Sequence, residues 1–220
     1  MYEIVKSVRQ QKQFKNTWEY FCDFYGWHND PYAKNGIRYN LLLPSKRKKV
    51  IGTIEFIPYN SMNPDSTVEG KFQFSRFDFI MSHPNRVWEI DKLCLHGDFH
   101  RQGYFENFMH VFYDHSKRHQ PKYYIGLMEK RLFRMLRISF GLGLKQAGEA
   151  LVGPSTALIP FVFDIEVLLQ DKETVRMLLS KSKFSEKDKV PKSPRVSLFN
   201  IHSTNNLFRR LFNHIDKKLD

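Results

Sequence analysis

The chain has 220 residues, 41% of them hydrophobic and 26% charged, which suits one substantial core and is too short for two comfortable ones. Two cysteines, Cys22 and Cys94, cannot build a disulfide scaffold or a zinc site. No run approaches the roughly 18 apolar residues of a membrane span. The N-terminus lacks a signal-peptide pattern, so the expectation is a cytoplasmic, single-domain protein. The net charge of +12 excludes an acidic, solvating chain and points to anionic partners. Half of that excess sits in residues 181–220, where ten Lys or Arg face four acids.

In chain order, a short strand is predicted at 2–5. Phe14, Trp18, Phe21, Cys22 and Tyr25 then recur at helical spacing, with Gly26 as a stop, which predicts a helix over 10–25. The segments 37–43 and 49–57 read as two strands joined by a basic turn at 44–48, and 58–70 has loop chemistry throughout. Phe72, Phe74, Phe77 and Phe79 alternate with a phase slip, which predicts a strand broken near Ser75 and Arg76. The clearest strand is 86–95. Trp88 and Ile90 are expected on one face and Leu93 and Leu95 on the other, the phase change marking an internal bulge or splay. A helix over 105–119, a strand over 122–128, a helix over 129–141, and strands near 144–152 and 157–167 complete a mixed α/β (α+β) sheet protein. Residues 181–197 read as a linker or exposed arm, and 203–219 as a short amphipathic helix capped by Ser203 or Thr204.

The chemistry-bearing stretch is "LCLHGDFHRQGYF" (93–105), where a strand hands over to a helix through a glycine-containing turn. Such a turn aims backbone N–H groups at the positive end of a helix dipole, an arrangement that suits phosphate. The order of elements over 1–167, with this stretch, resembles the GNAT superfamily of N-acyltransferases. Members carry (Gln/Arg)-x-x-Gly-x-(Gly/Ala) after a central strand, and His100, Arg101, Gln102, Gly103, Tyr104 and Phe105 fall on that pattern. His100 departs at the first position and Phe105 at the last. "WEIDKLCL" is most similar to the branch of acyl-homoserine-lactone (autoinducer) synthases and long-chain N-acyl amino acid synthases. Their strand begins Glu-x-x-Arg; Glu89 matches, and Lys92 keeps the charge of the arginine. "GWHNDPY", with Trp27 and Asp30, resembles the segment after that branch's N-terminal helix. The tyrosine that many acetyltransferases of the superfamily use to protonate the thiolate has no counterpart, Arg137 or Ser139 standing there.

The resemblance implies a mostly antiparallel sheet splayed between two strands and flanked by helices, an acyltransferase domain over 1–180 and a basic arm over 181–220. It implies acyl transfer from a thioester to the amine of a small molecule such as an amino acid or its derivative. Glu89 would be the base, acting through water, unless it simply pairs with Lys92 or Arg86. Leu93, Cys94 and Leu95 would bind the pantetheine arm, with His100 to Phe105 at the phosphate and Trp27, Asp30 and Lys92 at the acceptor. No metal and no tightly bound cofactor are expected, only acyl-CoA or acyl-phosphopantetheine as co-substrate. Acyl carrier protein, which is acidic, would suit the basic chain and the bulky Phe105. Cys94, with His96 two residues on, raises a covalent acyl-enzyme, but a buried cysteine is commonly just a small hydrophobe. An acetyl-CoA-dependent N-acetyltransferase is the nearest alternative. A nucleic-acid-binding protein acting through the tail is the alternative of another class, though the tail lacks aromatic–basic interleaving. Residues 203–219 also suit a membrane surface.

Overall fold

The computed structural model describes residues 1–44, 49–100, 102–104, 107–153 and 156–180, the side chains of 139, 140 and 142 excepted. The basic arm with its amphipathic helix therefore lies outside the described residues, as do Arg101 and Phe105.

After β1 (Tyr2–Ile4), helix α1 (Val8–Tyr25) starts at a reciprocal cap. Ser7 Oγ accepts from the Gln10 amide while Gln10 Oε1 accepts from the Ser7 amide. It ends where Gly26 turns left-handed at φ 67° and donates its N–H to the Cys22 carbonyl. Phe14, Trp18, Phe21 and Cys22 are its buried stripe. Strands β2 (Ile37–Leu42) and β3 (Val50–Pro58) form a hairpin closed by the Leu43 amide on the Lys49 carbonyl.

The phenylalanine-rich segment is not a strand. It forms one 3₁₀ turn at Phe74–Arg76 and a short helix α2 (Asp78–Met81). Local bonds, Phe77 N–H to Phe74 and Ile80 N–H to Phe77, satisfy its backbone, so it needs no strand partner. Phe72 and Phe74 are buried, with Ile80, against Val87, Ile125 and Val162 of the sheet. The alternation in the sequence reflects a looping lid that drops several rings into one cluster.

Then follow β4 (Val87–Leu95), α3 (Asn107–His119), β5 (Tyr123–Glu129), α4 (Lys130–Phe140), β6 (Leu144–Gln146), β7 (Leu158–Asp164), α5 (Ile165–Gln170) and α6 (Lys172–Ser180). The predicted strand at 144–152 is shorter, a lone bridge between Leu151 and Leu158 continuing it. The one at 157–167 stops at Asp164, whose carboxylate accepts the Glu166 and Val167 amides and starts α5 instead. The sequence reading left 168–180 without an element, and α6 occupies most of it.

The sheet order is β1-β2-β3-β4-β5-β7-β6, every pair antiparallel except β4 with β5. One face carries the main core, including Tyr39, Ile54, Phe56, Trp88, Ile90, Tyr124 and Phe163, under α3 to α6. The opposite face is covered by α1 and the 59–81 segment, and it holds buried polar groups: Asn40, Thr53, Glu55, Glu89 and Lys92.

The phase change in β4 is a bulge at Lys92, a non-glycine residue at φ 51°. Thr53 faces Cys94 but Glu55 faces Asp91, so one residue of β3 stands against two of β4. The bulge returns Leu93 and Leu95 to the face of Trp88 and Ile90. All four therefore pack on the same side, which corrects the two-faced expectation. The charged residues Glu89, Asp91 and Lys92 are thereby gathered on the other side.

Candidate active site at the splayed strands

Strands β4 and β5 pair at only three positions, the last being Glu89 with Ile125. Beyond it they separate, and β4 keeps only its β3 partner. At the vertex Gly126 lets the strands nearly touch: a Cβ there would lie 2.9 Å from the Ile90 carbonyl oxygen and 2.8 Å from the Phe161 ring. The cleft that opens beyond is walled on one side by Leu93–Leu95. The backbone edge of β4 that faces β5 there has lost its strand partner, and such groups are strong hydrogen-bonding sites for an extended ligand.

Glu89 stands at the vertex with no exposed surface. It pairs with neither Lys92 nor Arg86. Its Oε1 accepts from Ser66 Oγ (2.9 Å), and its Oε2 accepts from the Thr67 amide (3.0 Å) and Thr67 Oγ (2.8 Å). Burial raises its pKa above the usual carboxylate value, and the Thr67 and Ser66 bonds oppose that rise. A carboxylate with a raised pKa is suited to taking up a proton near neutrality.

Arg38, Glu55 and Asp91 lie opposite one another across β2, β3 and β4. Two carboxylates facing each other on neighbouring strands repel, and the bulge answers this by inserting a cation. Lys92 Nζ lies 3.1 Å from Glu55 and 2.5 Å from Asp91, while Arg38 Nε holds the other Glu55 oxygen at 2.8 Å. Burial lowers the Lys92 pKa, but Asp91 and Glu55 outweigh it and leave it raised. Burial pushes the Glu55 carboxyl up, and the two cations pull it back. The Tyr32 ring lies near both cations, 5.1 Å from Lys92 and 5.5 Å from Arg38, and Lys92 also donates to the Pro31 carbonyl. The group is charge-balanced and fixes the 27–36 loop to the bulge.

Asp30, on that loop, pairs with Lys71 at 2.8 Å, joining it to the 59–73 segment that holds Glu89. Trp27 stacks on Tyr25 (4.9 Å) and lies 5.7 Å from Trp18, in the cluster that contains Cys22 and Cys94. Cys94 is buried 3.0 Å from Thr53 Oγ, and burial pushes its thiol up to about 12. His96 does not activate it: its ring stacks on Tyr20 at 5.4 Å and accepts the Asp98 amide. This environment argues against a thiolate nucleophile.

At the open end of the cleft the connection from β4 to α3 is longer than a tight turn. It contains a 3₁₀ turn at Gly97–Phe99, then Gly103 at φ 77°. His100 Nε2 donates to the Leu95 carbonyl (2.7 Å), pinning the loop to the strand end, and Gln102 donates to the Asp98 carbonyl. Tyr104 packs edge-on to Phe99. Gly103 adopts a conformation that side chains resist, which leaves the backbone approachable.

The structure thus gathers Glu89, Lys92 and Leu93–Leu95 on β4, brings Asp30 to the same side through Lys71, and sets His100, Gln102, Gly103 and Tyr104 at the cleft mouth. Trp27 belongs to the aromatic packing beneath α1. Sequence reasoning missed Arg38, Glu55, Ser66, Thr67 and Lys71. For Glu55 a signal existed, one acid inside the apolar run "VIGTIEFI". Ser66 and Thr67 carried none, because their loop meets Glu89 only in three dimensions. Among the described residues no group of His, Cys, Asp and Glu could hold a metal ion, and no helix is long and apolar enough to cross a membrane.

No family model matches the chain, and no protein of curated function matches it in sequence. Solved structures do match its fold. FeeM, an N-acyl amino acid synthase from uncultured soil microbes, superposes with a TM-score of 0.59 at 11% identity, covering 80% of this chain and 97% of its own. TofI, in a ternary complex with an inhibitor and MTA, gives 0.55 at 12%, covering 82% and 99%. BjaI, a CoA-dependent acyl-homoserine lactone synthase with SAM and isopentyl-CoA, gives 0.55 at 13%, covering 82% and 88%. At such identities the likeness is one of fold: the chain has the splayed, mostly antiparallel GNAT-like fold that these proteins share.

Proposed function

We propose that the protein is an N-acyltransferase that moves an acyl group from a thioester, acyl-CoA or acyl carrier protein, to the amine of a small molecule such as an amino acid or its derivative. The observation that carries this reading is the pairing of an opened strand edge with a buried carboxylate at its vertex. The pantetheine arm lies in the cleft along Leu93, Cys94 and Leu95. An N–H of that edge polarises the thioester carbonyl as negative charge develops on its oxygen. The amine attacks, Glu89 takes its proton, and the thiolate leaves. His100, Gln102, Gly103 and Tyr104, with Arg101 and Phe105 beside them in sequence, lie at the donor phosphate. Lys92 and Asp30 shape the acceptor side. FeeM, an N-acyl amino acid synthase with the same fold, supports an amino-acid acceptor, and BjaI, held with isopentyl-CoA, supports a thioester donor.

The test is thiol release on mixing the purified protein with acyl-CoA or acyl carrier protein donors and an amino-acid panel, products being identified by mass. Glu89→Gln keeps the side chain's size and the two Thr67 bonds, which its carbonyl oxygen can still accept, while removing the carboxylate. It is expected to lower kcat about a hundredfold or more without weakening donor binding. Wild-type turnover by Glu89→Gln would remove Glu89 as the base.

A further inference from the structure

Glu89 has no exposed surface, so an acceptor amine in the cleft cannot touch it. Its proton must cross a bridging group. Ser66 and Thr67 are the two hydroxyls on the carboxylate, and both are half-buried. They differ in what their oxygens accept. Ser66 Oγ takes the Glu69 amide at 3.2 Å and the Val68 amide at 3.4 Å, so it is committed to shaping its own turn. Thr67 Oγ accepts from no group among the described residues, and it donates to Glu89 at 2.8 Å, the shortest of the three bonds. The Thr67 amide grips the same carboxylate oxygen and fixes the hydroxyl beside it.

We propose that the Thr67 hydroxyl is the proton relay between the acceptor amine and Glu89, an inference that rests on the acyl-transfer reading above. As the N–C bond forms, the amine's N–H bond breaks and its proton passes to Thr67 Oγ. The Thr67 O–H proton passes in the same motion to Glu89 Oε2, leaving the hydroxyl neutral and the glutamate protonated. The C–S bond then breaks with its electron pair on sulfur. The thiolate takes up that one proton, which Glu89 gives back through Thr67, so the carboxylate is restored and no oxidant or other reactant is required. The groups around Glu89 leave Thr67 as the route. Asp91, two residues along β4, opposes its ionisation. Tyr59, after β3, donates instead to Glu69 at 2.5 Å. Ile57 and Ile125, its neighbours on β3 and β5, are apolar.

The experiment measures initial rates of thiol release across pH for the full chain with an acyl-CoA donor, comparing wild type, Thr67→Val, Thr67→Ser and Glu89→Gln. Melting temperature confirms that each variant is folded. Thr67→Val is expected to lower the plateau kcat about a hundredfold. It should also move the acid limb of the profile to higher pH, because the ionised carboxylate has lost a donor. Thr67→Ser should restore both. A Thr67→Val plateau that reaches the wild-type rate at high pH would overturn the relay and leave Glu89 as a base reached otherwise. Full activity of Glu89→Gln would overturn both roles while acyl transfer stands. Absence of wild-type turnover with every donor and acceptor would overturn the acyl-transfer reading itself, and the relay with it.

Discussion

Replacing Lys92 by Met removes one positive charge from a buried group of four. Lys92 and Glu55 have no exposed side-chain surface, and Asp91 retains 16%. Without the ammonium, Glu55 and Asp91 face each other across β3 and β4 with Arg38 alone to balance them. Met keeps the Cβ and an unbranched chain one atom shorter, so the cost of φ 51° is unchanged and the loss reports the ammonium with its Glu55, Asp91 and Pro31 contacts. Breaking a buried ion pair on one side costs about 3–5 kcal/mol. For a chain of this size that corresponds to a melting temperature lower by about 6–20 °C. Thermal and urea unfolding of Lys92→Met, Asp91→Asn and the double variant would measure it. The double variant, which restores balance between Arg38 and Glu55, should recover more than about 1 kcal/mol of the single loss. A Lys92→Met variant within about 0.5 kcal/mol of the parent, the range of surface substitutions, would refute the buried charge group.

Three further outcomes follow from the same structure. Burial pushes the Cys22 and Cys94 thiols up to about 11 and about 12, so neither should react with iodoacetamide at pH 8 until urea unfolds the chain; mass spectrometry of the native protein reads this directly. His115 is buried on the ring of Phe56, bonded to the Tyr124 hydroxyl at 2.8 Å, and burial lowers its pKa to about 3. The unfolded chain therefore binds the proton first, so this contribution to stability is present above pH 6.5 and falls as pH drops from 6.5 towards 3. Its slope approaches about 1.4 kcal/mol per pH unit, and His115→Phe should flatten it in urea titrations at stepped pH. Gly126→Ala places a methyl against the Ile90 carbonyl and the Phe161 ring, which should cost about 1–3 kcal/mol in the same unfolding assay.

The element order was largely legible because periodicity reports burial. Phe14, Trp18, Phe21 and Cys22 form the stripe of α1, and the phase change in 86–95 marked a real bulge. The reading failed where local chemistry overrode alternation. The rings of Phe72 and Phe74 enter one cluster from a turn, and the side chain of Asp164 converts the end of a strand into a helix start. Within the site, Glu89, Lys92 and Leu93–Leu95 were readable as one strand. Their meaning was not, because the partner of Glu89 is a loop more than twenty residues earlier, and those of Lys92 lie on two strands and the 27–36 loop.

The sequence by itself determined the number and kind of most elements, the bulged central strand and the glycine turn after it. These follow from local patterns of apolar spacing, caps and backbone freedom. Only the tertiary structure decided which face each charge of β4 occupies, that Glu89 is sealed beneath Ser66 and Thr67, and that Lys92 separates two opposed carboxylates. The reason is physical: burial, desolvation and charge pairing depend on distances between residues far apart in the chain, and those distances exist only once the sheet has formed.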